Sequence, residues 1–293
     1  MIAIVGVGAV GGSCAAPLGA VRDDVVLCLR TPFLELKVRG FDVPEVVTPR
    51  VIVSPNDLSP ARWVLLATKA HQVEGASSWL ERLVGSDTRV AVLQNGVEHV
   101  ERLCGMVPSE QVLPVVVDCP ACVLAPGRIE ARHAPHLIVP ERMEGQAFAV
   151  LFKGTSVGME TTADFVIALW RKPCVNAIAA LAGVSLPEVR HPRLSEIAQA
   201  LVRECAAVER AEGAEISDSE ADEIAYRASH AKSGASPSTL SDRLAGRPLE
   251  ADAHNSAVAR VGAKNRIEAS VNRRAAELLA ECHRRTGDLL SEL

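Results

Sequence analysis

The chain begins Met1-Ile2-Ala3-Ile4-Val5 and runs straight into Gly6-Val7-Gly8-Ala9-Val10-Gly11-Gly12. A short apolar run that ends in glycines spaced G-x-G-x-x-G predicts a buried strand, a tight turn and the start of a helix. Each glycine has its own reason to be there. The first permits the turn, the second lets backbone approach a pyrophosphate, and the third lets helix and strand pack closely while helix N–H groups face the phosphates. Gly6, Gly8, Ala9, Val10 and Gly11 are therefore a candidate dinucleotide-binding loop; the alternative is a strand-helix turn that merely needs small residues. Pro17 falls where the first helix should still be running, which predicts that this helix is short or kinked.

The rest of the first half decides how much weight that motif carries. The runs IAIVGVG, VVLCLR, RVIVS, WVLLATK, RVAVLQNG and VLPVVVD alternate with helical stretches such as SSWLERLVG and VEHVERLCG. This alternation predicts an α/β fold of the doubly wound, Rossmann type, a parallel sheet with crossover helices. Residues 128–160 read as extended, turn-punctuated pieces without a helical period, expected to be later antiparallel strands that finish the sheet. From about Ala163 strand signals give way to long helical periods, so the expected division is a dinucleotide-binding domain over residues 1–161 and an all-helical domain over 162–293. Pro248 marks an expected helix start that leaves Glu250 in the first turn.

Composition narrows the functional classes. With 293 residues, 48% of them hydrophobic, the chain can bury a sizeable core, and a formal net charge of -5 with scattered Lys and Arg offers no basic face to a nucleic acid. A strand beginning at residue 2 leaves no room for a secretory leader, and no uncharged apolar run reaches membrane-spanning length, so a cytoplasmic protein is expected. The eight cysteines are spread from Cys14 to Cys282 and are expected to be reduced and mostly buried. Cys119-Pro120-Ala121-Cys122 could be a redox dithiol, half a zinc site, or two small side chains on a strand; no partner motif accompanies it. No metal-dependent chemistry is indicated, because the histidines show neither ligand spacing nor a nucleophile partner.

Strand ends in an open parallel sheet face the ligand crevice. Where an enzyme using NAD usually places an acid about twenty residues past the glycines, this chain has Arg30 and Thr31, and a guanidinium suits the 2′-phosphate of NADP. Two later strands end in polar residues, Thr68, Lys69 and Gln72 in one case, Gln94 and Asn95 in the other. In the helical half, Lys172 and Asn176 lie four apart, on one helix face that is otherwise apolar. Farther on stand Ser238, Ser241, Asp242, Glu250 and Asp252, with His254 one helical turn after Glu250 and expected to be a half-exposed helix residue.

Taken together, GVGAVG, LLATKAHQ, LQNGV, LWRKPCVN, PSTLSDRLAGRPLEADAHNSAV and GAKNRIEASVN resemble, in order and approximate spacing, the ketopantoate reductases (2-dehydropantoate 2-reductases), and the likeness spans nearly the whole chain. The resemblance implies an N-terminal Rossmann domain, a helical C-terminal domain, NADPH as cofactor, a small 2-keto acid as substrate, a role in pantothenate biosynthesis, and either a monomer or a homodimer. By position it implies Lys172 as the catalytic lysine and Glu250 as the acid that holds the substrate. Asn95 would lie between cofactor and substrate, Lys69 beside the nicotinamide ribose, and Asn176 and Ser238 on the substrate's hydroxyl and carboxylate. Ala180 and the segment VVVDCPACV depart from the family pattern. A reductase of another 2-keto acid or of an imine, and a non-catalytic NADP-binding sensor, are the alternatives.

Overall fold

The computed structural model describes residues 1–44, 46–184, 193–229, 238–244 and 246–282, and the chain divides into two units, Met1–Phe165 and Val166–Leu293. In order, the first unit contains β1 (Ile2–Val5), α1 (Ala9–Val21), β2 (Val25–Cys28), β3 (Lys37–Arg39), β4 (Arg50–Ile52), β5 (Trp63–Leu66), α2 (Ser77–Leu83), β6 (Arg89–Val92), α3 (His99–Arg102) and β7 (Val112–Pro114). It continues with β8 (Val116–Asp118), β9 (Ala121–Ala125), β10 (Arg128–Ala131), β11 (His136–Pro140), α4 (Met143–Leu151) and β12 (Gly158–Thr162).

Six strands form one wholly parallel sheet in the order β4-β2-β1-β5-β6-β7. The sheet runs outward in both directions from β1, the arrangement of a doubly wound fold. Its inner strands β1, β2 and β5 are apolar and buried on both faces, as central parallel strands must be, while the edge strand β4 starts with an exposed Arg50. Ile2, Ile4, Val25, Leu27, Trp63 and Leu65 point into one core, which Phe148 and Phe152 also enter. Ala3, Val5, Val26, Val64 and Leu66 point into the other, against Trp79, Leu80 and Leu83 of α2. The Phe148 ring lies between Trp63 and Phe152, with both centroid distances 5.3 Å.

Three local expectations are corrected. Helix α1 runs through Pro17 to Val21 and is not cut short. A proline at this place costs the N–H bond to the Ser13 carbonyl, but residues Gly11 to Leu18 are all buried, and that packing outweighs one lost bond. Residues 128–160 do not finish the main sheet. They contribute to two separate three-stranded sheets, β3-β10-β9 and β12-β11-β8, each with one parallel and one antiparallel pairing. Between them Met143–Leu151 is helical, with Gly145 and Phe148 buried; Gly145 is needed because a Cβ there would stand 2.0 Å from the Pro140 carbonyl oxygen.

The described residues of the second unit form helices joined by turns and loops, with no strand among them: α5 (Phe165–Val184), α6 (Leu194–Ala211), α7 (Asp218–Ser229), α8 (Ser238–Leu244), α9 (Asn255–Lys264) and α10 (Ser270–Glu281). A polar network joins four of these helices from inside. The Asn272 amide, fully buried, donates to the Leu201 carbonyl at 3.0 Å and to Glu204 Oε2 at 2.9 Å, and its oxygen accepts from Asn255 Nδ2 at 2.9 Å. Asn255 Nδ2 also reaches the Ala177 carbonyl at 3.4 Å. Glu204 caps α10 from a neighbouring helix, accepting the N–H groups of Val271 and Asn272 at 2.9 Å each. No described helix is long and apolar enough to cross a membrane.

Replacing Asn272 by leucine removes the 2.9 Å acceptor of the Asn255 amide and a donor to the Glu204 carboxylate. Asn272→Leu is expected to lower stability by about 1–3 kcal/mol, read as a shift of the urea midpoint.

Candidate active site

In the first unit the site follows from strand register. Val5 pairs with Cys28 on one side and Leu66 on the other, and Leu66 pairs with Val92. Parallel strands in step deliver the next residues of each, Gly6, Leu29-Arg30, Ala67-Thr68 and Leu93-Gln94, at one edge of the sheet. The strand order reverses direction between β1 and β5, so this edge carries the crevice where such sheets bind ligands.

The glycines divide by what surrounds them. Gly6 has φ +90, and a Cβ on it would stand 2.6 Å from the Thr68 nitrogen. A Cβ on Gly11 would stand 2.1 Å from the Gly6 carbonyl oxygen. Both are required by the fold itself. Gly8 is different: a Cβ there would meet nothing within 4 Å, its backbone φ of -83 is open to any residue, and no side chain caps the helix it begins. The chain's own packing does not demand a glycine at this position, whereas a phosphate approaching the bare N–H groups of Ala9 and Val10 would. The loop therefore fits a dinucleotide on a feature of its own geometry. Arg30 lies exposed beyond β2, whose path is fixed there by the Leu29 N–H bonding to the Ile52 carbonyl at 3.0 Å.

The ends of β5 and β6 are tied together. Gln94 Nε2 donates to Thr68 Oγ1 at 2.8 Å and to the Lys69 carbonyl at 3.4 Å, while Gln94 Oε1 is buried without a partner. Lys69 leads into a 3-10 turn over Ala70–Gln72, and Gln72 Oε1 accepts the Lys69 N–H at 3.3 Å, so Gln72 braces the loop on which Lys69 stands. Asn95 follows half-buried, before Gly96 at φ +109. The Gln94 carbonyl meets His99 Nε2 at 3.0 Å. Burial holds His99 down at about 4, so the ring is neutral near pH 7 and its Nε2–H donates to that carbonyl. Gln94, which a reading by strand ends does single out, ties two of those ends together, and His99 behind it is a positioning residue that such a reading passes over.

In the second unit Lys172 and Asn176 share one face of α5, both half-buried. Asn176 Nδ2 lies 3.5 Å from His254 Nε2, a long hydrogen bond that ties α5 to the segment bearing Glu250. His254 is only 5% exposed, which corrects its expected half-exposed position: it turns inward to Asn176. Glu250, 7% exposed, is not in the first turn of a helix. Its carbonyl accepts the N–H groups of Ala253 and His254 at 3.2 Å each, closing a separate turn. His254, at φ -104 and ψ -101, breaks the run before α9 starts at Asn255. Asp242 and Asp252 are engaged with Arg247 at 2.8 Å and Arg260 at 2.6 Å. Ser238 opens α8, but its side chain and those of Ser241 and Ala180 lie outside the described residues. None of the eight cysteines forms a disulfide; Cys122 lies on β9, and Cys119 just before it.

Two family models match the chain, "Ketopantoate reductase PanE/ApbA" over residues 2–143 and "Ketopantoate reductase PanE/ApbA C terminal" over residues 165–283. The 2-dehydropantoate 2-reductase of Caulobacter vibrioides is 42% identical over 284 residues, which cover 95% of this chain and 97% of the relative. That of Mycobacterium tuberculosis is 39% identical over 265 residues, covering 88% and 90%. Among solved structures, a PanE/ApbA family ketopantoate reductase from Ralstonia eutropha superposes with TM-score 0.84 at 27% identity, covering 97% of this chain and 99% of that one. D-mandelate dehydrogenase in complex with NADH shares the fold at TM-score 0.82 and 21% identity, with 97% and 98% covered.

The glycines give a paired prediction. Gly8→Ala should leave the urea midpoint where it is and weaken dinucleotide binding about 10-fold or more, while Gly11→Ala should cost about 1–3 kcal/mol of stability. Equal effects of the two on stability would show that Gly8 has no ligand-related role. For His99 the folded value near 4 lies below the ordinary 6.5, so the unfolded chain binds more protons between them. Its contribution is complete above pH 6.5 and is lost as pH falls toward 4, about 3 kcal/mol in all. His99→Gln should make the decline of the urea midpoint across that window shallower than in the wild type.

Proposed function

The chain belongs to the ketopantoate reductase family, and on that premise we propose that it reduces 2-dehydropantoate to pantoate with NADPH. The observation that carries the catalytic half of this reading is the Asn176–His254 contact. It ties the helix of Lys172 and Asn176 to the turn that holds Glu250, which supports reading the ammonium, the amide and the carboxylate as parts of one site.

Gly6, Gly8, Ala9, Val10 and Gly11 would hold the pyrophosphate, Arg30 the 2′-phosphate, and Thr68, Lys69, Gln72 and Asn95 the nicotinamide half. A reduced nicotinamide, when bound, supplies the hydride for the keto carbon. As charge grows on the carbonyl oxygen, the Lys172 ammonium neutralises it and delivers the proton. Glu250 orients the substrate hydroxyl and holds Lys172 toward the oxygen. Asn176 and Ser238 bind the substrate's polar groups, and Asn95 lies between substrate and cofactor. His254 keeps the Asn176 amide turned the right way. The choice of NADPH over NADH rests on Arg30, which presents a cation where an NAD enzyme presents an acid. A cytoplasmic location and a homodimer, the assembly named for a Staphylococcus aureus ketopantoate reductase of the same fold, complete the reading.

The test is NADPH oxidation by the purified chain with 2-dehydropantoate, alongside a panel of other 2-keto acids and imines, and with NADH in place of NADPH. Turnover should be greatest with 2-dehydropantoate and NADPH, and Lys172→Ala should lower it by roughly 10²- to 10⁴-fold, the usual effect of removing a positioned proton donor. Turnover only with another panel member would overturn the substrate assignment. Tight NADPH binding without any turnover would overturn the catalytic one.

A further inference from the structure

Behind Lys172, on the buried side of α5, stands a group of side chains that the reaction does not use. Cys174 comes two residues after Lys172, and it faces Cys205 and Glu209, which are four apart and so share a face of α6. The three ligand atoms, two Sγ and a carboxylate oxygen, lie within 4.8 Å of one another, and all three residues are fully buried. Cys174 Sγ donates to Glu209 Oε1 at 3.3 Å. Glu209 Oε2 is buried with no hydrogen-bond partner, which leaves one oxygen of this carboxyl group unused. A carboxyl group placed this way costs stability unless something else uses its oxygens.

We propose that Cys174, Cys205 and Glu209 form a binding site for a divalent cation of the zinc class, which ties α5 to α6. Two sulfurs and one carboxylate oxygen suit a borderline-soft ion; magnesium and calcium ask for oxygen donors throughout. Three protein donors fill all but one corner of a tetrahedron, and water takes the fourth. Two thiolates and a carboxylate against a dication leave one negative charge, which the fields of Arg171 and Arg210 favour and that of Glu220 opposes.

A redox switch is the weaker reading of the same cysteines. Thiols that react with oxidants are accessible and acidic, whereas Cys174 is shielded, and the adjoining Cys205 thiol together with burial pushes it well up. Metal binding removes that obstacle by exchange: both thiol protons, and the Glu209 proton where it is held, leave to solvent as the metal-ligand bonds form. The route in is supplied by α5 itself. Pro173, directly before Cys174, has no N–H to give the Leu169 carbonyl, so the helix is easiest to open at that turn.

The experiment uses the purified full chain, stripped with chelator and titrated with zinc and, separately, with cobalt. Expected are one equivalent bound, a thiolate-to-cobalt charge-transfer band, release of about two to three protons per ion, and a rise in Tm with zinc. Cys205→Ser and Glu209→Gln should each weaken binding by more than the roughly 10- to 100-fold that loss of an outer partner costs. Full affinity in both variants would place the ion elsewhere and overturn the proposal. If a variant does not fold, the wild-type spectrum decides: cobalt bound without a thiolate band, or no stoichiometric binding of either ion, overturns it. Turnover of 2-dehydropantoate is not part of the readout, so failure here leaves the catalytic reading untouched.

Discussion

The first unit depends on how closely three pieces of backbone approach one another: Gly6 after β1, Gly11 in the first turn of α1, and Thr68 after β5. The Gly6 and Gly11 positions leave no room for a methyl group, so the helix start is pressed against the sheet at the place where strand order reverses. That pressure sets where the N–H groups at the head of α1 point. The parallel register then brings Arg30, Lys69 and Asn95 to the same edge, and the Gln94 bridge to Thr68 keeps two of those ends in step.

The helical unit solves a different problem. Its helices have few large apolar contacts to spare around α9, and alanines and short side chains line much of the buried surface. Asn255, Asn272 and Glu204 supply fixed points through hydrogen bonds that no apolar side chain could reproduce, and they hold α5, α6, α9 and α10 in one arrangement. Lys172 and Asn176 inherit their positions from that arrangement.

Much of this is legible in the chain of letters. All six parallel strands can be read from short β-branched runs, most plainly β1, β2 and β5, because a strand buried on both faces has to be apolar throughout. The glycine spacing and the helical second half are equally plain, and Lys172 and Asn176 stand out as polar residues on an otherwise apolar helix. What escapes is whatever depends on a distant neighbour. Pro17 reads as a stop, yet the burial around α1 overrides it. Met143–Leu151 is too short to show a period and is helical because Phe148 finds Trp63. His254 reads as an outward-facing helix residue; the partner that turns it inward, Asn176, lies 78 positions away. Glu250 shows the limit of local punctuation, since Pro248 signals a helix start that His254 postpones.

The strand order also has a consequence for synthesis. β1 is the centre of the sheet, but it is translated before either neighbour, and β5 follows only some sixty residues later. At about 5–20 residues per second, this apolar segment waits several seconds with an unpaired edge. A nascent chain in that state presents the same surface that chaperones capture and that aggregates grow from. The centrality that makes β1 so well protected in the finished protein leaves it the most vulnerable strand while the protein is being made.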